Sequence, residues 1–218
     1  MNEIKAVLWD VDGTLVDSAG YHWESWVETL AREGFELTRA RFEGSFGQRN
    51  DEILRDYFGP GIAAEEVARI SLAKETSYRA LLRAGGIEPL PGVRLWLERL
   101  RAGGWRQAIA TSAPTANVRA ILDALGLESF FDAVASAEDV ERGKPDPQIF
   151  LAAAAKVGAP AASCVVVEDA PAGVEAARRA GMRCVGVLST HSSLEADVNV
   201  KSLADLAPDT FEGLIARG

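Results

Sequence analysis

The sequence predicts an α/β protein with a doubly wound parallel sheet and an inserted all-helical domain. From residue 90 onward, short apolar runs alternate with segments of helical periodicity, which is typical of parallel strands joined by crossover helices. Residues 20–85 interrupt this alternation with helical segments alone, and a single apolar run precedes them. A chain of 218 residues is long enough for one such domain with an insertion.

Five apolar runs are predicted to be strands buried on both faces, because they lack the alternation of a half-exposed strand. They are IKAVLWD (4–10), RQAIATS (106–112), DAVAS (132–136), SCVVVED (163–169) and MRCVGVL (182–188). Four segments between these strands have helical periodicity and end in glycine, a common helix C-terminus. They are VRLWLERLRAGG (93–104), NVRAILDALG (117–126), PQIFLAAAAKVG (147–158) and AGVEAARRAG (172–181). Right-handed crossovers through them would place helices on both faces of the sheet.

The helical block is interpreted as a separate domain. Its predicted helices lie within residues 21–34, 39–47, 49–59 and 63–86. The segments DSAG (17–20) and GGIEPLPG (85–92) are interpreted as linkers that can act as hinges. The first contains glycine and the second contains glycine and proline, which interrupt regular secondary structure. The predicted domains are therefore 1–17 with 90–218, and 18–89. The alternative is that these helices only pack on the sheet.

Composition limits the classes of function. The formal charge of −9 argues against nucleic acid or an anionic membrane as the main partner, because both attract basic surfaces. No apolar stretch approaches membrane-spanning length, and the first residues run directly into a strand rather than a secretory leader. The two cysteines, Cys164 and Cys184, have no metal-binding or redox spacing. We therefore expect a cytoplasmic protein with reduced thiols.

Polar residues collect where the predicted strands end. Asp10 and Asp12 follow the first strand and project to the same side of an extended chain, so a cation between them is expected. The Asp12-Gly13 pair by itself could simply form a turn. A calcium loop is excluded, because Leu15 stands where that loop requires glycine. The other polar groups predicted at this edge of the sheet are Thr111, Ser112, Lys144, Glu168 and Asp169.

Four of these stretches resemble the motifs of the haloacid dehalogenase superfamily of phosphotransferases. DVDGTLVDS (10–18) is similar to its first motif, ATS (110–112) to the second, GKPDP (143–147) to the third and VVVEDAPAG (165–173) to the fourth. The helical insertion after the first motif is similar to the cap of the β-phosphoglucomutase-like branch. Each motif alone is weak, but all four occur in order over essentially the whole chain.

The resemblance implies a role for each motif residue. Asp10 would attack phosphorus to form an aspartyl-phosphate, and Asp12 would be the general acid and base. Mg²⁺ would be the cofactor, and its ligands would be Asp10, the main chain of Asp12, Asp169 and, directly or through water, Glu168. The groups that would hold the phosphoryl oxygens are Thr111, Lys144 and the amides of Ser112 and the Gly13 loop. Lys144 would also keep Asp10 ionised. The expected partner is a small phosphorylated metabolite, and the expected assembly is a monomer or homodimer.

The inserted domain would decide whether water or a second hydroxyl accepts the phosphoryl group. The stretch YHWESW (21–26) is similar to the mutase cap, with His22 and Trp26 at its histidine and tryptophan. Arg49 stands where the mutase has an arginine for the distal phosphate. An alternative is that Trp26 belongs to the core of the insert.

Two departures from the mutase pattern favour a phosphatase. Ser45 and Ala80 stand where the mutase has lysines, although the neighbouring Arg79 could substitute for one of them. Without these lysines a bisphosphate would be held less tightly. The sequence therefore predicts a Mg²⁺-dependent phosphatase of small metabolites such as sugar phosphates. The alternatives are a β-phosphoglucomutase-type mutase and, outside the enzymes, a binding protein on the same fold.

Overall fold

The computed structural model describes residues 4–216, and the contacts within them divide the chain into two compact units. One unit, the core, runs up to Asp17 and resumes at Glu88. The other, called the insert below, is Ser18–Ile87. The sequence predicts the second boundary two residues later, after residue 89. The ends of the predicted core domain, residues 1–3 and 217–218, lie outside the described residues.

The core contains a six-stranded parallel sheet in the order β3-β2-β1-β4-β5-β6. Its strands are β1 (Ala6–Trp9), β2 (Arg106–Ala110), β3 (Ala133–Ala135), β4 (Cys164–Glu168), β5 (Arg183–Val187) and β6 (Val198–Val200). Five of these strands match the predicted apolar runs. The sixth was missed because it is a three-residue edge strand, half exposed and without an apolar run.

Nine α-helices are present within residues 4–216. They are α1 (Ala19–Arg32), α2 (Arg39–Ser45), α3 (Asn50–Phe58), α4 (Ala64–Gly85), α5 (Val93–Ala102), α6 (Thr115–Leu125), α7 (Gln148–Val157), α8 (Pro171–Arg179) and α9 (Thr210–Ile215). The first four form the insert. The four helices predicted for the core, α5 to α8, are each followed within two residues by a glycine of positive φ, which ends the helix without steric strain.

Helices cover both faces of the sheet. On one face, Leu8 of β1 packs in a hydrophobic cluster with Phe150 of α7 and Val174 of α8. On the other face, the ring centroid of Trp9 lies 6.5 Å from that of Phe211 in α9. Because successive side chains of β1 enter opposite layers, the strand is apolar at every position. The predicted doubly wound parallel sheet is therefore confirmed.

The insert has a hydrophobic core of its own. The buried residues of this cluster are Trp26, Leu30, Leu37, Phe42, Ile53, Leu54, Tyr57, Val67 and Ile70. A separate core favours the interpretation of the insert as a domain rather than as helices that only cover the sheet. Among residues 4–216, none of the helices has the length and apolar character needed to cross a bilayer.

Both cysteines are free and buried in the core. Burial raises the pKa of Cys164 to about 11 and the pKa of Cys184 well above its usual value. Since the thiolate is the reactive form, we expect both thiols to react slowly with a disulfide reagent in the native protein. Denatured protein, prepared without reductant and measured promptly, should show two thiols. Fewer than two would indicate a disulfide and contradict the predicted compartment.

Candidate active site

The strand order places the site. Strands β1 and β4 are neighbours, but the chain leaves β1 toward β2 on one side of the sheet and leaves β4 toward β5 on the other side. The two diverging connections create a crevice at the carboxyl ends of these strands, and ligands of such sheets bind there. Asp10 lies directly after β1, and its amide donates to the carbonyl of Val167 in β4 at 3.0 Å. Glu168 ends β4, and Asp169 follows it. Acids that are more than 150 residues apart in sequence therefore meet at one edge of the sheet.

The ammonium group of Lys144 joins two of these acids. Its Nζ lies 2.6 Å from Oδ1 of Asp10 and 2.5 Å from Oε1 of Glu168. All three side chains are buried. The pair of ionic contacts offsets the cost of burying two neighbouring carboxylates. Asp10 and Lys144 are thus brought together as predicted from the motifs.

Glu168 is held through both of its carboxylate oxygens. Oε1 accepts from Lys144, and Oε2 accepts from the amides of Asp169 and Ala170, each at 2.8 Å. These amides lie in the turn that leads into α8. Glu168 therefore anchors both Lys144 and the backbone that presents Asp169.

Three buried carboxylates could hold a metal ion. One oxygen each from Asp10, Glu168 and Asp169 lie within 4.8 Å of one another. Asp169 is also contacted by two hydroxyls: Thr14 Oγ1 lies 3.3 Å from its Oδ1, and Thr190 Oγ1 lies 2.5 Å from its Oδ2. Hard oxygen ligands of this type suit a hard divalent cation.

Burial and crowding shift the pKa values of this cluster. Burial raises the pKa of Asp10 well above its usual value; Lys144 lowers it, and the other acids of the site raise it further. Burial and the neighbouring Glu168 likewise raise the pKa of Asp169 to about 7. Burial lowers the pKa of Lys144, but Asp10 and Glu168 outweigh it and raise the value above normal. A bound cation would favour the ionised form of both aspartates.

The remaining predicted groups of the core directly follow strands β1 and β2. Thr111 is buried directly after β2, and its Oγ1 accepts from the amide of Ala113 at 3.1 Å, so the hydroxyl proton remains available to a ligand. Ser112 and Asp12 are half-buried. Gly13 has φ of +83°, and a Cβ there would overlap the Asp169 carboxylate. No other residue fits this turn without moving Asp169.

In the insert, His22 belongs to a buried polar cluster. Lys74 Nζ lies 2.8 Å from Nδ1 of His22 and 2.8 Å from Oε1 of Glu75. An ammonium only donates, so Nδ1 accepts and the imidazole proton lies on Nε2. The His22 ring also stacks on Tyr78, with centroids 4.2 Å apart. Lys74, in the last helix of the insert, is thus the partner of His22.

The other two predicted residues of the insert have different surroundings. Arg49 is half-buried and pairs through Nε with Oδ1 of Asp51 at 3.0 Å. Trp26 is only 3% exposed and lies in the hydrophobic cluster of the insert. Its burial favours the interpretation of Trp26 as a core residue.

Sequence reasoning did not find the segment Ser189–His191, which follows β5. Its side chains contact Asp169 and the Gly13 carbonyl. His191 is half-buried, and its Nδ1 lies 3.2 Å from the carbonyl oxygen of Asp169. The one sequence feature that could have identified this segment is its place directly after a predicted strand, because the carboxyl ends of parallel strands meet at the same edge of the sheet.

The chain is similar to known hydrolases over most of its length. A family model described as haloacid dehalogenase-like hydrolase matches residues 4–181. Validoxylamine A 7′-phosphate phosphatase from Streptomyces hygroscopicus subsp. limoneus is 31% identical, with 93% of this chain and 95% of that protein covered. Beta-phosphoglucomutase from Bacillus subtilis (strain 168) is 32% identical, with 93% and 92% covered.

A solved structure extends the similarity to three dimensions. The crystal structure of CbbY from Rhodobacter sphaeroides in complex with phosphate has a TM-score of 0.85 to this protein, at 28% identity. The comparison covers 94% of this chain and 96% of that chain. The relatives named as a phosphatase and as a mutase are about equally similar, so the comparisons support both activities.

The close approach of α8 to Glu168 leads to a stability prediction. A Cβ at Gly173 would overlap the Glu168 carboxylate, so Gly173→Ala must displace it from Lys144 and the two amides. We expect a loss of about 1–3 kcal/mol in the free energy of unfolding, measured by urea titration. The control is Gly213→Ala in α9, where a Cβ has no neighbour within 4 Å and should be neutral or slightly stabilising. Equal effects of the two changes would contradict the prediction.

Proposed function

The chain belongs to the haloacid dehalogenase-like hydrolases, and we propose that it is a Mg²⁺-dependent phosphatase of small phosphorylated metabolites, including sugar phosphates. The observation that carries the proposal is the buried Asp10 carboxylate paired with Lys144, with a second aspartate two residues further on. The five motif residues Asp10, Asp12, Thr111, Lys144 and Asp169 are all present, which argues against a binding protein that has lost its chemistry.

We propose Asp10 as the nucleophile. Its carboxylate would attack phosphorus and form an aspartyl-phosphate, while the bond to the leaving alcohol breaks. Lys144, 2.6 Å from Asp10, favours the ionised form that attack requires. Asp12, less buried than Asp10, would give a proton to the leaving oxygen and then take one from the attacking water.

We propose that Mg²⁺ is held by Asp10, the main-chain carbonyl of Asp12, and Asp169. The oxygen-only donor set and its compactness fit this ion. When bound, Mg²⁺ supplies positive charge against the phosphoryl oxygens. Oε2 of Glu168 accepts two amides, which fills both of its lone pairs, and Oε1 is paired with the cationic Lys144, which would repel a metal ion there. This supports contact with the ion through water rather than directly.

The phosphoryl oxygens would be held by the core. The buried hydroxyl of Thr111, the ammonium of Lys144 and the amide of Ser112 would donate to them. These donors are positioned before substrate arrives, because Thr111 and Ser112 directly follow β2 and Lys144 is held by its contacts with Asp10 and Glu168. The Gly13 amide, expected to take part, already donates to the carbonyl oxygen of Val16 at 2.7 Å and is not available to a phosphoryl oxygen.

The insert would recognise the leaving group of the substrate through His22 and Arg49. Two of its cationic groups have carboxylate partners: Lys74 pairs with Glu75, and Arg49 with Asp51. Compensated charges attract a second phosphate less strongly. This favours hydrolysis of a monophosphate over a mutase reaction that must retain a bisphosphate. The mutase remains the second candidate, because beta-phosphoglucomutase from Bacillus subtilis is as similar as the phosphatase.

The substrate assay separates the two activities. Purified protein with Mg²⁺ is given a panel of phosphorylated metabolites, and kcat/KM for phosphate release is compared across the panel. With β-glucose 1-phosphate and a bisphosphate primer, the proposal predicts glucose and phosphate, or no reaction. Isomerisation to glucose 6-phosphate faster than phosphate release would establish the mutase instead.

Turnover should depend fully on Asp10. Asp10→Asn is expected to abolish hydrolysis of p-nitrophenyl phosphate, because a neutral amide does not attack phosphorus. Asp205→Asn, at an exposed position of the same unit, is the matched control and should retain full activity. Circular dichroism and thermal unfolding verify that both variants are folded. More than trace turnover by folded Asp10→Asn would exclude it as the nucleophile.

Arg49 should affect substrates selectively. Arg49→Ala is expected to raise KM about 10- to 100-fold for a metabolite with an anionic tail, the effect of losing a hydrogen bond to a charged group. Hydrolysis of p-nitrophenyl phosphate, which has no such tail, should barely change. Arg55→Ala is the control, since Arg55 pairs with the same Asp51 at 2.6 Å but is exposed. Equal losses of Arg49→Ala on both substrates would assign Arg49 to folding of the insert.

A further inference from the structure

The segment Ser189–His191 contacts the proposed metal site but belongs to none of the four motifs. It follows β5, which is the neighbour of β4 in the sheet. Three consecutive side chains of this segment make polar contacts with Asp169 or with the Gly13 turn. One of these contacts is made to the Asp169 carboxylate itself, and the other two are made to the main chain of Asp169 and of Gly13, so the segment is placed to orient the carboxylate and the backbone around it.

The hydroxyl of Thr190 is directed at the Asp169 carboxylate. Its Oγ1 lies 2.5 Å from Oδ2 of Asp169 and 3.1 Å from the carbonyl oxygen of the same residue. A hydroxyl has one proton to donate, and the anionic oxygen at the shorter distance is the better acceptor. Thr190 therefore donates to Oδ2.

His191 orients that hydroxyl. Its Nδ1 lies 3.2 Å from the Asp169 carbonyl oxygen and 3.0 Å from Oγ1 of Thr190. A carbonyl oxygen only accepts, so the proton of this contact is on Nδ1. Oγ1 of Thr190 is also within hydrogen-bond distance of this nitrogen, so the N–H is shared between the two oxygens and the hydroxyl proton is left for Oδ2. The two residues therefore form a directed chain of donors that ends at Asp169.

Ser189 connects the turn that contains Gly13 to the same segment through a hydrogen bond. Its Oγ donates to the carbonyl oxygen of Gly13 at 2.5 Å. A Cβ at Gly13 would meet both the Asp169 carboxylate and the methyl group of Thr190. The turn that contains Asp12 and the loop that contains Asp169 are thus held against each other by one short stretch of chain.

Thr190 supplies the closest side-chain contact of Asp169. The other hydroxyl donor, Thr14, lies 3.3 Å from Oδ1. Each carboxylate oxygen has two lone pairs, so both can accept a hydroxyl proton and still bind a cation. Loss of the Thr190 hydroxyl would leave the carboxylate freer to rotate away from a productive orientation.

We propose that Thr190, oriented by His191, is a positioning residue that holds the Asp169 carboxylate for metal binding. The proposal rests on the proposed function, in which Asp169 is a metal ligand. Residues that hydrogen-bond to metal ligands commonly contribute about 10- to 100-fold to metal affinity. We expect an effect of that size from the loss of the Thr190 hydroxyl.

The test measures metal binding without turnover. Mn²⁺ is titrated into wild type, Thr190→Val and Thr190→Ser, and free Mn²⁺ is followed by electron paramagnetic resonance. Thr190→Val keeps the shape without the hydroxyl and should raise the Mn²⁺ Kd roughly 10- to 100-fold. Thr190→Ser keeps the hydroxyl and should remain near wild type. Ser192→Ala, exposed in the same segment, is the matched control and should not change the Kd.

Kinetics provide a second readout. In Thr190→Val the Mg²⁺ concentration for half-maximal activity should rise by the same factor as the Mn²⁺ Kd, with kcat at saturating Mg²⁺ nearly unchanged. Thermal unfolding without metal should be similar in all variants, which shows that the fold is intact. A merely structural role would lower the unfolding temperature and leave the Mn²⁺ Kd unaltered.

The outcomes separate this proposal from the proposed function. A wild-type Mn²⁺ Kd in folded Thr190→Val overturns the positioning role, while metal-dependent turnover would still stand. Loss of affinity in Thr190→Ser as large as in Thr190→Val also overturns it, because the hydroxyl is then not responsible. Failure of wild type to bind Mn²⁺, with turnover that needs no metal, overturns both proposals together.

Discussion

The ammonium group of Lys144 lies between the carboxylates of Asp10 and Glu168, and the arrangement of the core depends on this contact. Asp10 follows β1 and Glu168 ends β4, so the pairing of these two strands brings both acids to one edge of the sheet. Burying them side by side would be costly without a cation between them. Lys144 comes from a different loop, before α7, so the contact joins three distant parts of the chain.

The same crowding explains why two glycines border the acids. Gly13 leaves no space for a Cβ beside Asp169, and Gly173 leaves none beside Glu168. Backbone amides can therefore approach the carboxylates closely, as those of Asp169 and Ala170 do at Glu168. A site built from backbone and short turns keeps its donors in place before a ligand arrives, which is what electrostatic stabilisation of a phosphoryl group requires.

The charged side chains of the insert are paired differently from those of the core. In the core, the buried acids outnumber the single buried lysine, so the site favours a further cation. In the insert, the buried Lys74 has Glu75 as its partner and contacts Nδ1 of His22. Arg49 likewise has Asp51. Charges compensated in this way exert a weaker general attraction on phosphate than an unpaired cation would.

The sequence alone determined the sheet, the insert and the motif residues, because these depend on local patterns. Strands β1 to β5 follow largely apolar runs, and all of them except β3 are buried along most of their length. The four motifs are short stretches with specific residue types. Strand β6 left no such pattern, since an edge strand of three residues needs no apolar run. The tertiary structure alone decided which distant polar groups meet. Lys74 lies 52 residues from His22, and Thr190 lies 21 residues from Asp169. Contacts of this kind arise from helix packing and strand order, and a hydroxyl or ammonium group carries no sign of its partner in the residues beside it.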